Sequence, residues 1–348
     1  MPFPYYTGKA QDEDDNRLDE LPVSQLEDLE DPRHYEPDDG LKAAVNAALV
    51  LGQPLLLTGE PGTGKTQLAY SIAKELGSTN LGNHRPLKFE TKSTSTARDL
   101  FYTYDSLSRF HAAQAAAHTA AQADGDILKS KEYIYYNALG IAILRACNID
   151  DLSEFAPRGF KLGHRGRSVV LIDEIDKAPR DFPNDILNEI DAMYFKVPEL
   201  GNIEFRADKS KRPVVIITSN SEKQLPDAFL RRCVYYHISF PDPKTDRLQK
   251  IVMSRIAEFG ATDSPMLSEA IEFFYQLRDS NSGLAKKPAT AELLGWLVFL
   301  KSRGAKIAEP LCKHREALKD SLNIMIKGPE DQSKSEKLLQ QWLKKKGQ

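Results

Sequence analysis

Apolar residues fall along this chain in two rhythms. Short apolar runs occur at 54–58 (PLLLT), 87–91 (LKFET), 168–173 (SVVLID), 213–220 (PVVIITSN) and 234–240 (VYYHISF). Runs of this length, rich in Val, Ile and Leu and closed by turn residues, predict strands buried on both faces. Between them, apolar positions recur at helical spacing: DDGLKAAVNAALVLGQ, capped by Asp38 or Asp39 and stopped by Gly52; KTQLAYSIAKELG, ending at Gly77; ARDLFYTYDSLSRFHAAQAAAHTAAQ; and PNDILNEIDAMYF. Strands alternating with helices predict an α/β fold, a five-stranded parallel sheet sandwiched by helices. From about residue 244 the strand rhythm stops. KTDRLQKIVMSRIAEFG, LSEAIEFFYQLRD, ATAELLGWLVFLKSRG and KHREALKDSLNIMIKG all have helical periodicity, so a small all-helical domain is expected behind the linker at 240–245. The expected domains are an acidic flexible arm over 1–31, an α/β domain over 32–243, the helical domain over 244–328, and a tail over 329–348 with room for a short helix.

Composition narrows the function classes. Among 348 residues, hydrophobic types make up 41% and charged types 28%, and the net charge is −3. A chain this long can bury a real core, and its near-neutral balance supplies no global field for nucleic acid or an anionic membrane. Cys147, Cys233 and Cys312 are far apart and lack zinc-ligand spacing, which fits a reducing compartment. The opening MPFPYYTGKAQDEDD has no basic stretch leading into an apolar core, so no secretion signal is read there. The longest apolar stretch is broken by Asn46, Gly52, Gln53 and Pro54 and cannot span a bilayer as one helix. A cytoplasmic protein without membrane insertion is expected. The acidic run QDEDDNRLDELPVSQLEDLED reads as a solvated arm, with docking of a basic partner the alternative.

Chemistry concentrates after the first strand. Gly59-Glu60-Pro61-Gly62-Thr63-Gly64-Lys65-Thr66 fits G-x-x-x-x-G-K-[ST] at every position, with Gln67 next. Glycines let successive N–H groups curl inward around phosphate oxygens, and the following helix adds its positive end. Lys65 can reach the β- and γ-phosphates, and the Thr66 hydroxyl can hold Mg²⁺. Asp173 and Glu174 close the run VVLIDE. Charges at the end of a buried strand are costly unless a cation or water lies there. One acid can orient Mg²⁺ and the next can act as general base, with strand alternation pointing them in different directions. Asp176 and Lys177 follow on a loop and carry no assigned role. Asn220 emerges from the run VVIITSN. It either bonds the γ-phosphate or attacking water, provided its strand lies between the other two, or simply forms a turn. Arg231 and Arg232 end a short helix, as an arginine finger for a neighbour's nucleotide or as a basic end answering the helix dipole. Arg165 and Arg167, in the glycine-rich GFKLGHRGRS, read as an exposed loop, with a neighbour's nucleotide or a pore as the alternative.

The order and spacing of the phosphate loop, VVLIDE, ITSN and LRRC resemble the AAA+ ATPases over about residues 33–300, and the MoxR-like branch with its dynein-related modules most of all. TSTARDLF after the second strand resembles that branch's T-x-x-D-L motif. The 65 or so residues before VVLIDE look like its helix-2 insertion, about 101–165, expected to be helical. YFKVPELGNIEFR looks like its extra hairpin, about 194–206, turning at Gly201-Asn202. The resemblance implies ATP and Mg²⁺ as cofactors, Glu174 as catalytic base, Asn220 as the first sensor and Arg232 as the finger, with Arg231 its competitor. HYEPDDGLKAAV resembles the adenine-contacting segment, so Tyr35 and Val45 would flank the base. The second sensor, an arginine in relatives, falls in LAKKPATAELLGW, where Lys286 or Lys287 stands and lacks the planar fork.

The function expected is a ring ATPase, most plausibly a hexamer, that remodels a protein partner, for which a von Willebrand A domain protein is a candidate. The alternatives are a nucleic-acid motor of a restriction or defence system, disfavoured by the charge, and a nucleotide-binding scaffold with little hydrolysis.

Overall fold

The computed structural model describes residues 21–26, 28–77, 84–117, 130–149, 152, 154–220, 225–260 and 264–347. They form two compact units, Pro37–Phe240 and the described residues up to Glu36 together with those from Pro241.

In the first unit the strands are β1 (Leu55–Thr58), β2 (Leu87–Glu90), β3 (Tyr102–Tyr104), β4 (Ile134–Tyr136), β5 (Val169–Asp173), β6 (Tyr194–Val197), β7 (Ile203–Arg206), β8 (Val214–Thr218) and β9 (Val234–His237). Its longer helices are α1 (Asp39–Leu51), α2 (Lys65–Glu75), α3 (Ser106–Ala117) and α4 (Ala138–Ala146). Five strands make the expected parallel sheet, in the order β2-β5-β8-β1-β9. Leu55 to Leu57 and Val170 to Ile172 are at most 1% exposed, as strands covered on both faces must be. The edge strands β2 and β9 depart from the expected burial on both faces, since Lys88, Glu90, Tyr235 and His237 take alternate positions along them and β2 exposes Lys88 and Glu90. Asp38 caps α1 by accepting the Leu41 N–H (2.7 Å), and Gly52 ends it in the left-handed region.

The insertion differs from the helix expected of it. Residues 97–117 form a 3₁₀ turn (Ala97–Leu100), then β3, then α3, and β3 pairs antiparallel with β4. Tyr102-Thr103-Tyr104 is aromatic and β-branched, and that preference overrides the helical spacing around it. Asp105 then starts α3 by accepting the Ser108 N–H (2.9 Å). Residues 118–129, also expected to be helical, lie outside the described residues. α4 is buried almost throughout and crosses the chain so closely that a Cβ on Gly140 would lie 2.0 Å from the Phe101 carbonyl oxygen. The helical pattern at 183–195 becomes two short helices, Phe182–Asp185 and Leu187–Ala192, ended by Met193 at φ 46°. β6 and β7 then form an antiparallel hairpin with Val197 opposite Ile203, and Gly201 and Asn202 both take positive φ in its loop. Phe195 stacks on Phe101, and Tyr136 meets Phe195 and Phe205 edge to face, joining both two-stranded ribbons to one core.

The second unit holds α5 (Arg247–Arg255), α6 (Pro265–Arg278), α7 (Thr290–Ser302), α8 (Arg315–Met325) and α9 (Pro329–Lys346). Trp296 and Trp342 pack on Phe273 at its centre, and the Trp296 indole N–H bonds Ser321 (2.8 Å). The tail is thus an 18-residue helix rather than a short one, because Leu339, Trp342 and Leu343 bury one of its faces. Residues 1–20 and 27 of the acidic arm lie outside the described residues. Residues 21–26, 28 and 30 at its described end are exposed, while Arg255 donates to the carbonyls of Leu29 and Asp31 (2.8 and 2.7 Å) and, just beyond the arm, the Ser254 hydroxyl donates to that of His34 (3.1 Å).

Candidate nucleotide site

A parallel sheet brings the carboxyl ends of its strands to one edge, and the loops leaving that edge carry the candidate residues. β8 lies between β5 and β1, pairing in register with both. Thr58, Asp173 and Thr218 therefore end side by side.

Leaving β1, the chain turns at Gly59 with φ 146°. A Cβ there would sit 2.5 Å from the backbone oxygen of Ile238, so only glycine fits. Gly62 (φ 77°) and Gly64 (φ 89°) also need left-handed backbone, and Gly64 opens α2 without a side-chain cap. The Thr63 hydroxyl closes the turn onto the Glu60 carbonyl (2.8 Å), while Pro61 is exposed at its tip. Lys65 is 6% exposed, and its Nζ donates to the carbonyls of Gly59 and Glu60 at 2.9 Å each. Burial lowers its pKa, and the charges of Asp176, Asp173 and Glu174 oppose that shift. Gln67 Oε1 is buried without a hydrogen-bond partner among the described residues.

Hydroxyl groups organise the acids. Asp173 Oδ1 accepts from Thr66 Oγ1 (2.9 Å) and from Thr218 Oγ1 (2.7 Å). The Thr218 oxygen also accepts the Glu174 N–H (2.8 Å). Asp173 Oδ2 faces the Lys88 ammonium at 3.2 Å, and that ammonium also bonds Glu90 (2.7 Å). Glu174 lies beyond the end of β5, at φ 55° and ψ 53°. Its side chain parts from that of Asp173 through this left-handed turn, not through the strand alternation expected from sequence. The Glu174 carboxylate accepts from Asn220 Nδ2 (3.3 Å) and pairs with Lys177. Asp176 accepts the Asn220 N–H (3.0 Å). Asp176 and Lys177, given no role from sequence, thus hold Asn220 and Glu174. Thr218 and Lys88 were missed altogether. The hydroxyl in ITSN and the lysine in LKFET were the available signals.

The paired arginines separate. Arg232 Nε bonds Asp191 (2.6 Å) and its guanidinium reaches the Ala228 carbonyl (3.3 Å). Arg231 is exposed; its N–H bonds the Asp227 carbonyl (3.0 Å), and its guanidinium has no partner among the described residues. Arg165 donates to the carbonyls of Ile149 and Cys147 (2.7 and 2.6 Å), and Arg167 to that of Ser210 (3.0 Å), so both arginines tie loops down. Val45 is half-buried on α1 of the α/β unit. Tyr35, Lys286 and Lys287 belong to the other unit, where both lysine side chains are exposed and the Lys286 N–H is held by Asp331 (3.0 Å).

The Thr66 hydroxyl and the Asp173 carboxylate form a pair of hard oxygen donors. Mg²⁺ fits such a pair, since it takes one or two protein ligands and fills the rest with water and phosphate. No cluster of three or more His, Cys, Asp or Glu that could hold a metal ion is present among the described residues.

A glycine loop between an interior parallel strand and a helix, its threonine bonded to an acid at the end of a strand two places along the sheet, defines the P-loop class of nucleotide-binding domains. Residues 54–233 match the family model of the AAA domain (dynein-related subfamily), and the chain belongs to that family. It is accordingly an AAA+ ATPase domain, a family of ATP-binding proteins that generally assemble as oligomers. No curated protein matches the chain. No described helix is long and apolar enough to cross a membrane.

Proposed function

We propose that this chain is a MoxR-like AAA+ ATPase that hydrolyses ATP with Mg²⁺ in a hexameric ring to remodel or activate a protein partner. The observation that carries the hydrolytic part is the bonded set Asp173–Thr218–Glu174–Asn220, which holds two acids in two separate orientations at one sheet edge.

Thr66 and Asp173 would hold Mg²⁺, which supplies charge neutralisation at the phosphates. Lys65 exchanges its two loop carbonyls for phosphate oxygens. Glu174 aligns a water on the γ-phosphorus and takes its proton as the new P–O bond forms. The bond to the bridging oxygen breaks, and ADP leaves with that oxygen. Asn220 holds the Glu174 carboxylate, and Lys177, on an exposed turn, gives it up when the water arrives. An arginine of the next copy stabilises charge on the transferred group. The motif order favours Arg232 for this task, but among the described residues the guanidinium without a partner is that of Arg231, and we assign it the role. The oligomeric habit of the family supports the ring. A protein partner, with a von Willebrand A domain protein the first candidate, follows from the MoxR-like motifs alone.

The test is ATP turnover per subunit across a dilution series, with Glu174→Gln as the blank. Turnover should climb with concentration, and the variant should fall by about 10²-fold or more. A wild-type rate equal to the blank throughout would replace this reading with a nucleotide-binding scaffold.

A further inference from the structure

We propose that Lys88 sets the Mg²⁺ requirement of the site by competing with the ion for Asp173, and that Glu90 is its alternative partner. The proposal rests on the reading that Thr66 and Asp173 hold Mg²⁺.

β2 lies beside β5 in parallel, with Lys88 opposite Leu171 and Glu90 opposite Asp173. Lys88 and Glu90 are two residues apart, so they share one face of the sheet. The ammonium lies 3.2 Å from Asp173 Oδ2 and 2.7 Å from Glu90 Oε1. Asp173 Oδ1 is already committed to two hydroxyls, so the ammonium occupies the carboxylate's remaining oxygen. The lysine and aspartate side chains are 29% and 11% exposed, so water screens this pair only in part. Burial lowers the Lys88 pKa, but its bonds to Glu90 and Asp173 outweigh that and raise it overall, keeping it a cation.

A divalent cation at Asp173 repels a neighbouring ammonium. A lysine with one carboxylate partner would lose it. Lys88 has a second, Glu90, which is 69% exposed and already bonded. The ammonium can therefore release Asp173 by a small rotation of its flexible stem and remain paired. Competition at Asp173 weakens Mg²⁺, and Glu90 limits how strongly. The two residues should then act on the metal in opposite directions.

The experiment is binding of a fluorescent ADP analogue to the full chain, titrated with Mg²⁺, for wild type, Lys88→Met, Glu90→Gln and the double variant, with EDTA controls. Lys88→Met should lower the half-saturating Mg²⁺ concentration about 3- to 10-fold, the range for a partly screened pair. Glu90→Gln should raise it by about 2- to 5-fold, because the ammonium then has only Asp173. The double variant should follow Lys88→Met. Affinity in EDTA should stay the same in all four. Lys88→Gln gives the same comparison should Lys88→Met fail to fold.

A half-saturation unmoved or raised in Lys88→Met would overturn the proposal, as would Glu90→Gln moving in the same direction as Lys88→Met. Asp173→Asn separates the two levels. If it weakens Mg²⁺ while Lys88→Met does nothing, only this proposal falls. If Asp173→Asn leaves Mg²⁺ binding intact, the metal assignment falls with it.

Discussion

Thr218 is 1% exposed, yet its hydroxyl serves two masters: it donates to Asp173 and accepts from the Glu174 N–H. Valine has the same shape and neither capacity. It would strip a donor from a buried carboxylate and leave the Glu174 N–H without its acceptor, each at about 1–3 kcal/mol. The orientation of both acids would loosen together. Thr218→Val should therefore lower turnover roughly 10- to 100-fold. Thr218→Ser keeps the hydroxyl and should retain most of the rate, and nucleotide affinity in EDTA should barely move in either. Steady-state turnover beside nucleotide binding checks this, and a Thr218→Val enzyme as fast as wild type would show that the acids are oriented by other groups. Gly59 makes a sterically simpler case. The methyl of Gly59→Ala meets the Ile238 carbonyl oxygen at 2.5 Å, on backbone at φ 146°. A strain of about 1–3 kcal/mol should open the loop, with nucleotide binding lost before the fold. Fluorescent-nucleotide affinity and thermal unfolding, measured together, separate the two effects.

At the scale of elements, local pattern was informative wherever one element could satisfy its own requirements. The interior strands β1, β5 and β8 are continuous apolar runs, the edge strands β2 and β9 alternate in burial, and the phosphate loop is spelled by glycines that the backbone needs at those positions. β3 and β4 were hidden because three residues are too few to alternate, and neither is stable without the other. Lys88 and Thr218 were hidden for a related reason. Their partner, Asp173, is reached across a strand pairing between segments far apart in sequence, and no local spacing encodes that register. The same holds in the helical unit for Asp331, a 1% exposed residue in the first turn of α9. It accepts the backbone N–H groups of Ala285 and Lys286 (2.9 and 3.0 Å) and so fixes the segment that carries Lys286 and Lys287. Those N–H bonds hold its pKa below the usual carboxylate range. The clamp is then fully present above the unfolded carboxylate pKa, about 3.9, and is lost as pH falls through the lower folded value. Asp331→Ala should lower amide-exchange protection at Ala285 and Lys286 by about 10-fold at neutral pH, with the gap to wild type closing in acid. Equal protection in both proteins at neutral pH would remove the clamp from the account.

For the whole molecule, the arginine pair is where the proposal that a second copy completes the site can be tested. An arginine serving a neighbour's nucleotide must have its guanidinium exposed and uncommitted. Arg232 is bound to Asp191, and both side chains are about 40% exposed, at 40% and 44%. Such a surface pair contributes at most about 1 kcal/mol, so it holds Arg232 without locking it. Arg231 has no such tie among the described residues. The two substitutions should then fail differently. Arg231→Ala should lower turnover by about 10³-fold with thermal stability and nucleotide affinity unchanged. Arg232→Ala should lose stability slightly and turnover much less. A mixing experiment makes the intermolecular claim specific. Glu174→Gln subunits lack the proposed base but carry Arg231, and Arg231→Ala subunits carry Glu174 but lack the arginine. Each alone should be near inactive. Mixed, an intact Glu174 on one copy can face an intact Arg231 on the next, so turnover should recover to a sizeable fraction of wild type and depend on the mixing ratio. Recovery absent at every ratio, in preparations shown to co-assemble, would place the arginine's effect within its own chain.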